Sequence, residues 1–187
     1  MQSACSIKTS PSSPASRRDR SISRRARTGW FVLAAALFIV WGGAVEAASL
    51  KQGVAAFNRQ DYMTAAQILT PYAERGEPTA QAYLGFMYET GRGVPQNYTD
   101  AAMWYRRAAE QGDSLAQYSL GLLYDRGQGV PRDIVEAAKW LNLSTSGAPR
   151  GAREARARIR DAMTTKMTRG EIAQARLRAL EWVPKRE

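Results

Sequence analysis

From about residue 49 onward, apolar residues recur every three or four positions, which predicts helices rather than strands. One such run places Tyr62, Ala65, Leu69 and Ala73 on a single helix face. Short segments rich in glycine, proline or polar residues separate the runs. The pattern therefore predicts an all-α fold of short helices joined by tight turns.

Part of this pattern repeats along the chain. Residues 80–104 return 36 positions later as residues 116–140, with twelve identical positions that include Gly85 and Gly121. A period in this range is typical of stacked helical hairpins. Such arrays bury a continuous core between neighbouring units and expose an extended surface, so the repeat favours an interaction module over an enzyme.

The repeat also predicts how the chain is divided. We expect a short helical hairpin at residues 48–76, full repeats at 77–112 and 113–148, and basic capping helices at 149–187. The second helices of the full repeats are predicted at 99–110 and 134–145. Two glycines, Gly91 and Gly127, stand where the first helices would end in a left-handed residue. Gly85 and Gly121 stand where a side chain would push the paired helices apart.

The region after the repeats predicts a helical cap. Residues 151–163 are expected to form an amphipathic helix that packs on the second repeat. Its apolar seam consists of four residues: Ala152, Ala155, Ile159 and Met163. Thr168 and Glu171 fit a capping box that opens a last helix ending near Trp182. A cap of this kind keeps a solenoid soluble.

Residues 80–104 and 116–140 each carry Ala-x-x-x-Leu-Gly-x-x-Tyr-x-x-Gly-x-Gly-Val-Pro, followed by Ala-Ala-x-Trp. In this pattern the chain resembles the Sel1-like repeat family, relatives of the tetratricopeptide repeats with a longer glycine loop in each hairpin. The resemblance covers residues 77–148, and residues 167–184 are similar to the closing helix of many exported bacterial members. It implies a short α-solenoid of antiparallel helix pairs that is used for protein contacts and has no chemistry of its own.

The first 47 residues are typical of an export signal. A basic, serine-rich segment at 1–29 precedes an apolar core at 30–41, and Val-Glu-Ala at 45–47 resembles a signal-peptidase site. We therefore expect cleavage after Ala47 and a mature protein in the periplasm. The alternative is that residues 30–47 remain as an inner-membrane anchor, although the apolar stretch is shorter than the roughly 20 residues of a usual span.

The composition excludes most catalytic chemistry. The chain has no histidine, and its one cysteine, Cys5, lies in the predicted signal. The mature protein would therefore lack the usual general base near neutral pH, thiolate catalysis, and zinc sites with nitrogen or sulfur ligands. Glu89 and Asp125 occupy equivalent repeat positions and are the remaining acid–base candidates. We expect no enzymatic activity, no metal and no cofactor.

The formal charge of +10 is unevenly distributed. Residues 1–47 carry a net charge of +5, residues 48–148 carry −1 and residues 149–187 carry +6. Because the repeats are nearly neutral, no basic field covers the whole molecule. We therefore expect no nucleic-acid partner.

The candidate contact surface is the set of first-helix positions that would face the inner side of a tetratricopeptide-type array. Phe86, Tyr118 and Leu122 would form an apolar strip edged by Glu89 and Asp125, which suits a peptide or helix ligand. Four aromatic residues at repeat-defining positions are expected in the core instead: Tyr88, Trp104, Tyr124 and Trp140. The alternative is that so small an array curls and covers part of the strip with its own terminal helices.

We interpret the sequence as a non-enzymatic adaptor of the bacterial periplasm that binds a protein or peptide partner on the inner face of its repeats. The alternative is an envelope-associated module that contacts anionic lipid or glycan polymer through the basic residues flanking the seam: Arg153, Arg156 and Arg160. Salt dependence separates the two hypotheses, because binding through surface charge fades as salt rises.

Overall fold

The computed structural model describes residues 50–185, and every regular element in that range is a helix. The first, α1, covers residues 50–58 of the described part. The others are α2 (Tyr62–Glu74), α3 (Pro78–Thr90), α4 (Tyr98–Glu110), α5 (Ser114–Arg126), α6 (Ile134–Ser146), α7 (Arg150–Thr164) and α8 (Arg169–Leu180). The all-α prediction is confirmed. The predicted signal at residues 1–47 lies outside the described residues, and none of the described helices is long and apolar enough to cross a membrane.

The helices pack as a short solenoid. Each helix from α2 to α6 packs against the next, and α3 also contacts α5, so the first helices of the two repeats are neighbours. The end of the stack is arranged differently, because α7 and α8 both pack on α6. This is the predicted array of antiparallel helix pairs with a two-helix cap.

Local chemistry explains where the helices begin and end. Gly91 (φ 71°) and Gly127 (φ 69°) follow α3 and α5 in the left-handed conformation, as predicted. Asp133 caps α6, since its carboxylate accepts hydrogen bonds from the backbone N–H groups of the first turn. The capping box of Thr168 and Glu171 is present at the start of α8.

The second glycine of each repeat loop is required by a close approach between units. A Cβ atom at Gly129 (φ 69°) would overlap the carbonyl group of Tyr98, at the start of α4. At the equivalent Gly93 it would overlap the carbonyl group of Tyr62, at the start of α2. Each loop therefore packs on the second helix of the preceding unit and couples the two units.

The core between the paired helices depends on small residues. A Cβ atom at Gly85 would lie 2.6 Å from Cδ1 of Tyr105, and one at Gly121 would lie 3.0 Å from Cγ of Leu141. These distances fit the prediction that side chains there would separate the helices. The repeat-defining Trp104 and Trp140 are buried, as predicted, and Tyr88 and Tyr124 are partly buried against the same core.

Two buried glutamines make the same contact in both repeats. Nε2 of Gln81 donates to the carbonyl oxygen of Ala73 at 3.1 Å, and Nε2 of Gln117 donates to that of Ala109 at 3.2 Å. Ala73 and Ala109 lie in the last turns of α2 and α4, where their carbonyl oxygens also accept the backbone N–H groups of Gly76 and Gly112, so each glutamine adds a further donor at a helix end. The identity of Gln81 and Gln117 in the repeat thus has a structural cause.

The last helix ends close to the predicted position, and the residues after it pack on the repeats. α8 ends at Leu180, short of Trp182. The Trp182 ring instead lies edge-on to that of Trp140, with 6.4 Å between ring centroids. The backbone N–H of Lys185 then donates to the carbonyl oxygen of Glu110 at 2.8 Å. Trp182 and Lys185 thereby hold the segment after α8 against the core around Trp140 and the end of α4.

The predicted seam of α7 is wrong at two positions. Ala155 and Ile159 are exposed, and the buried residues of α7 are Arg156 and Met163. The helix is therefore rotated relative to the apolar pattern, so that an arginine faces the repeats. The reason is a set of backbone acceptors at the ends of α5 and α6, described below.

Candidate interaction surface

The five residues predicted to form the contact surface lie on α3 and α5, and all five are half-buried: Phe86, Glu89, Tyr118, Leu122 and Asp125. Since α3 and α5 contact each other, the structure brings the two helices that carry them together. Their side chains differ in how far the rest of the molecule already covers them.

Phe86 takes part in an aromatic cluster with the first hairpin. Its ring meets that of Phe57 in α1 edge-on, with centroids 5.4 Å apart, and the guanidinium carbon of Arg92 lies 5.7 Å from its centroid. Phe86 also packs against two of the core clusters. The expectation that the core does not need Phe86 is therefore wrong.

Tyr118 is covered from the other end of the stack. The guanidinium carbon of Arg156 in α7 lies 5.5 Å from its ring centroid, and Tyr118 packs against the core cluster around Leu141 and Met163. The terminal elements α1 and α7 thus cover the two ends of the predicted strip, which is the curled arrangement weighed as the alternative.

Part of the first-helix surface remains accessible on α5. Leu122 is half-buried, and Leu115, seven residues before it on α5, is 47 % exposed. The apolar surface available on the first helices is therefore centred on Leu115 and Leu122, two turns apart on the same helix.

The two acids of the strip have separate partners. The Tyr105 hydroxyl donates to Oε2 of Glu89 at 2.8 Å, and Nη1 of Arg126 lies 3.9 Å from Oε1 of Glu89. Burial, reinforced by the Glu89 carboxylate, raises the pKa of the Tyr105 hydroxyl well above its usual range. Asp125 faces Arg132, with 4.0 Å between Nη2 and Oδ1.

The contacts of Glu89 and Asp125 are typical of acidic residues with a structural role. The Tyr105 hydroxyl is held as a donor to Glu89, and Asp125 is paired with an exposed arginine. Among the described residues, no group of three or more histidine, cysteine, aspartate or glutamate side chains could hold a metal ion. The arrangement is suited to holding the hairpins together.

Arg156, predicted as part of a basic contact face, lies inside the molecule. Its Nη1 donates to the carbonyl oxygens of Ser114, at 2.8 Å, and Ser144, at 3.2 Å. Ser144 lies in the last turn of α6, whose carbonyl groups lack helical partners and carry the negative end of the helix dipole. These acceptors, with the Tyr118 ring, offset the desolvation of the guanidinium, although burial still lowers the pKa of Arg156.

The two other arginines of that face are also engaged. Nη2 of Arg153 donates to the carbonyl oxygen of Ala148 at 3.2 Å, and Nη2 of Arg160 lies 2.7 Å from Oδ1 of Asp161. Arg156 is therefore buried and does not contribute to the predicted basic face. The pairing of Arg160 with Asp161 partly neutralises the charge that remains there.

Sequence reasoning missed an apolar edge at the C-terminal end of the cap. It comprises Leu177, Leu180 and Val183, which are 55 %, 84 % and 72 % exposed. The signal was present as three large apolar residues at intervals of three.

The fold and this surface define an α-solenoid of the tetratricopeptide type whose unit is a helical hairpin with a glycine loop. Residues 78–113 and 114–147 match the Sel1 repeat family, so this part of the chain is built of two Sel1 repeats. The resemblance noted in the sequence is thereby confirmed. Sel1 repeat proteins generally mediate protein–protein interactions.

Two solved structures show the same architecture. A protective antigen of uropathogenic Escherichia coli that displays an SLR fold is 30 % identical, with a TM-score of 0.67 over 75 % of this chain and 30 % of its own. A Sel1 repeat protein from Oxalobacter formigenes is 28 % identical, with a TM-score of 0.57 over 73 % of this chain and 55 % of its own. The chain thus spans about a third and about half of their lengths. No curated protein matches it.

Proposed function

We propose that this chain is an exported, non-enzymatic interaction module of the bacterial periplasm, which holds a peptide or helix of a protein partner against α5. The observation that carries the proposal is the exposed Leu115 together with Leu122 on a first helix of the repeats. A large apolar side chain left exposed on a helix that otherwise packs inward suits an anchor for a partner.

The surroundings of this strip favour a peptide or helix as its ligand. Phe86 and Tyr118 are already partly covered by α1 and α7 and add little open surface to it. Exposed Arg126 and half-buried Asp125 stand near the C-terminal end of α5 and provide polar groups at the rim. An apolar centre with a polar rim is the usual anatomy of a protein interface.

Site-specific photo-crosslinking in cells that produce the full chain tests the surface. A photoreactive phenylalanine analogue in place of Leu115 should give a discrete adduct with another protein. The matched control is Met103 on α4, which is exposed to nearly the same extent, 45 % against 47 %. Equal adducts from both positions, or none from Leu115, would refute binding on α5.

Export is tested separately by the mass of the cell-made protein. We expect a periplasmic protein that begins at Ala48. A protein that retains residues 30–47 and fractionates with membranes would show that this segment is an anchor and is not cleaved. The crosslinking test does not depend on that outcome.

A further inference from the structure

We propose that the C-terminal cap binds the surface of membranes that contain anionic phospholipids, through the apolar edge of Leu177, Leu180 and Val183 and a basic cleft beside it. This goes beyond the proposed binding of a protein partner and uses a different face of the molecule. It also differs from the basic face predicted on α7, because Arg176, Leu177 and Leu180 lie on α8.

The apolar edge is more exposed than a closing helix requires. Leu177 and Leu180 are one turn apart on α8, and their exposure of 55 % and 84 % shows that the cap does not use them for its own packing. Val183 follows in the tail at 72 % exposure, while its neighbour Trp182 points inward to Trp140. Protruding apolar side chains of this kind can enter the boundary between lipid headgroups and acyl chains.

Arg176 places a positive charge beside the edge. It is exposed, lies four residues before Leu180, and makes no hydrogen bond or ion pair with any of the described residues. Its side chain lines two clefts at once. One, of about 280 Å³ between α6 and α8, is largely apolar and includes Leu143 and Leu180.

The other cleft is polar and lies between α7 and α8 above α6. It has a volume of about 220 Å³, and its polar lining consists of Asn142, Arg160, Asp161, Thr164 and Arg176. Because Arg160 is paired with Asp161 at 2.7 Å, Arg176 leaves the cleft with a net positive charge. The Asn142 amide and the Arg176 guanidinium offer donors to a phosphate oxygen, while the Thr164 hydroxyl already donates to the carbonyl oxygen of Asp161. The polar cleft therefore fits a lipid headgroup, and the apolar cleft fits the adjoining chain.

The charge of the region decides between a membrane and a second copy of the chain. Residues 149–187 carry a net charge of +6, and Lys166, Arg169 and Arg176 are exposed on α8 or just before it. Two such caps would repel each other, whereas an anionic surface would attract them. Charge complementarity therefore selects the anionic membrane as the occupant.

Flotation with lipid vesicles tests the proposal. The chain from Ala48 onward is suitable, because residues 50–185 contain their own core and the predicted leader would itself bind lipid. We expect it to float with vesicles of phosphatidylglycerol and phosphatidylcholine, and not with phosphatidylcholine alone. Arg176→Gln should lower the partition coefficient about fivefold, and Leu177→Asn with Leu180→Asn should abolish binding.

Two control variants test whether lipid binding depends on this edge or on any exposed basic or apolar residue. Arg59→Gln removes an exposed arginine at the opposite end of the stack, and Leu115→Asn removes an exposed leucine from the proposed protein-binding helix. Both should float like the parent chain. Circular dichroism should show unchanged melting for all four variants, because the replaced side chains are largely exposed.

Three results would overturn the proposal. One is equal binding to both kinds of vesicle. Another is equal loss of binding in the controls. The third is a concentration-dependent dimer in sedimentation equilibrium that Leu177→Asn with Leu180→Asn dissolves, together with no vesicle binding, since a second copy would then cover the edge. Failure of crosslinking at Leu115 would leave the proposal intact, so the two tests are independent.

Discussion

Replacing Arg156 should detach the cap from the second repeat. Arg156 is 9 % exposed, and its guanidinium joins α7 to both α5 and α6 through the carbonyl oxygens of Ser114 and Ser144. Arg156→Gln keeps a polar, unbranched side chain but shortens it and removes the charge. Neither carbonyl would then be reached, and the Tyr118 ring would lose its cation.

The structure sets the size of the effect. A net contribution of about 1.5–3 kcal/mol is typical of a hydrogen bond from a charged group, and truncation also leaves buried acceptors without a donor. Partial hydration of the carbonyl groups reduces the sum, so we expect the free energy of unfolding to fall by about 2–4 kcal/mol. At roughly 3 °C per kcal/mol, the midpoint of thermal unfolding should fall by about 6–12 °C.

Arg158→Gln is the matched control, because Arg158 lies on the same helix but its side chain is 77 % exposed and pairs with Glu154. It should cost at most about 0.5 kcal/mol. Urea unfolding of both variants, followed by circular dichroism, measures the difference. Equal stability of the two variants would show that Arg156 does not hold the cap, and the arrangement of α7 described above would be wrong.

Two further predictions concern the repeats. Gly129→Ala should destabilise the chain far more than Gly127→Ala. Both glycines have positive φ, but only at Gly129 would the added carbon overlap the backbone of Tyr98. Similar melting temperatures of the two variants would contradict the described packing of the loop. Stability should also fall as the pH rises past about 10, the ordinary tyrosine pKa, because the folded state holds the Tyr105 proton more tightly than the unfolded state does. Tyr105→Phe should remove the part of this stability loss that comes from Tyr105. An unchanged dependence of stability on pH in the variant would contradict the raised pKa of Tyr105.

The sequence was sufficient wherever the structure depends on neighbours along the chain. The helical period, the left-handed Gly91 and Gly127, and the capping box at Thr168 are set by local backbone geometry and short-range hydrogen bonds. The repeat added long-range information, because two similar units can stack only by making similar contacts. The solenoid could therefore be predicted before any contact was known.

The candidate surface was predicted less well. Repeat position indicated that Phe86 and Tyr118 lie on the first helices, which is where they are. It did not indicate that Phe57 and Arg156 cover them, because those residues come from the non-repeated ends of the chain. Accessible apolar surface on the first helices remains at Leu115 and Leu122.

The cap shows most clearly what the sequence determined and what only the tertiary structure decided. Apolar spacing correctly predicted a helix in α7 and assigned the wrong side to the repeats. A buried arginine requires acceptors that offset its desolvation, and here they are carbonyl groups 42 and 12 residues away. Leu177 and Leu180 remain exposed for a related reason, since α7 and α8 both pack on α6 and no further helix among the described residues covers the outer side of α8. Local periodicity sets which segments are helical, whereas the positions of distant partners set which face of each helix is buried.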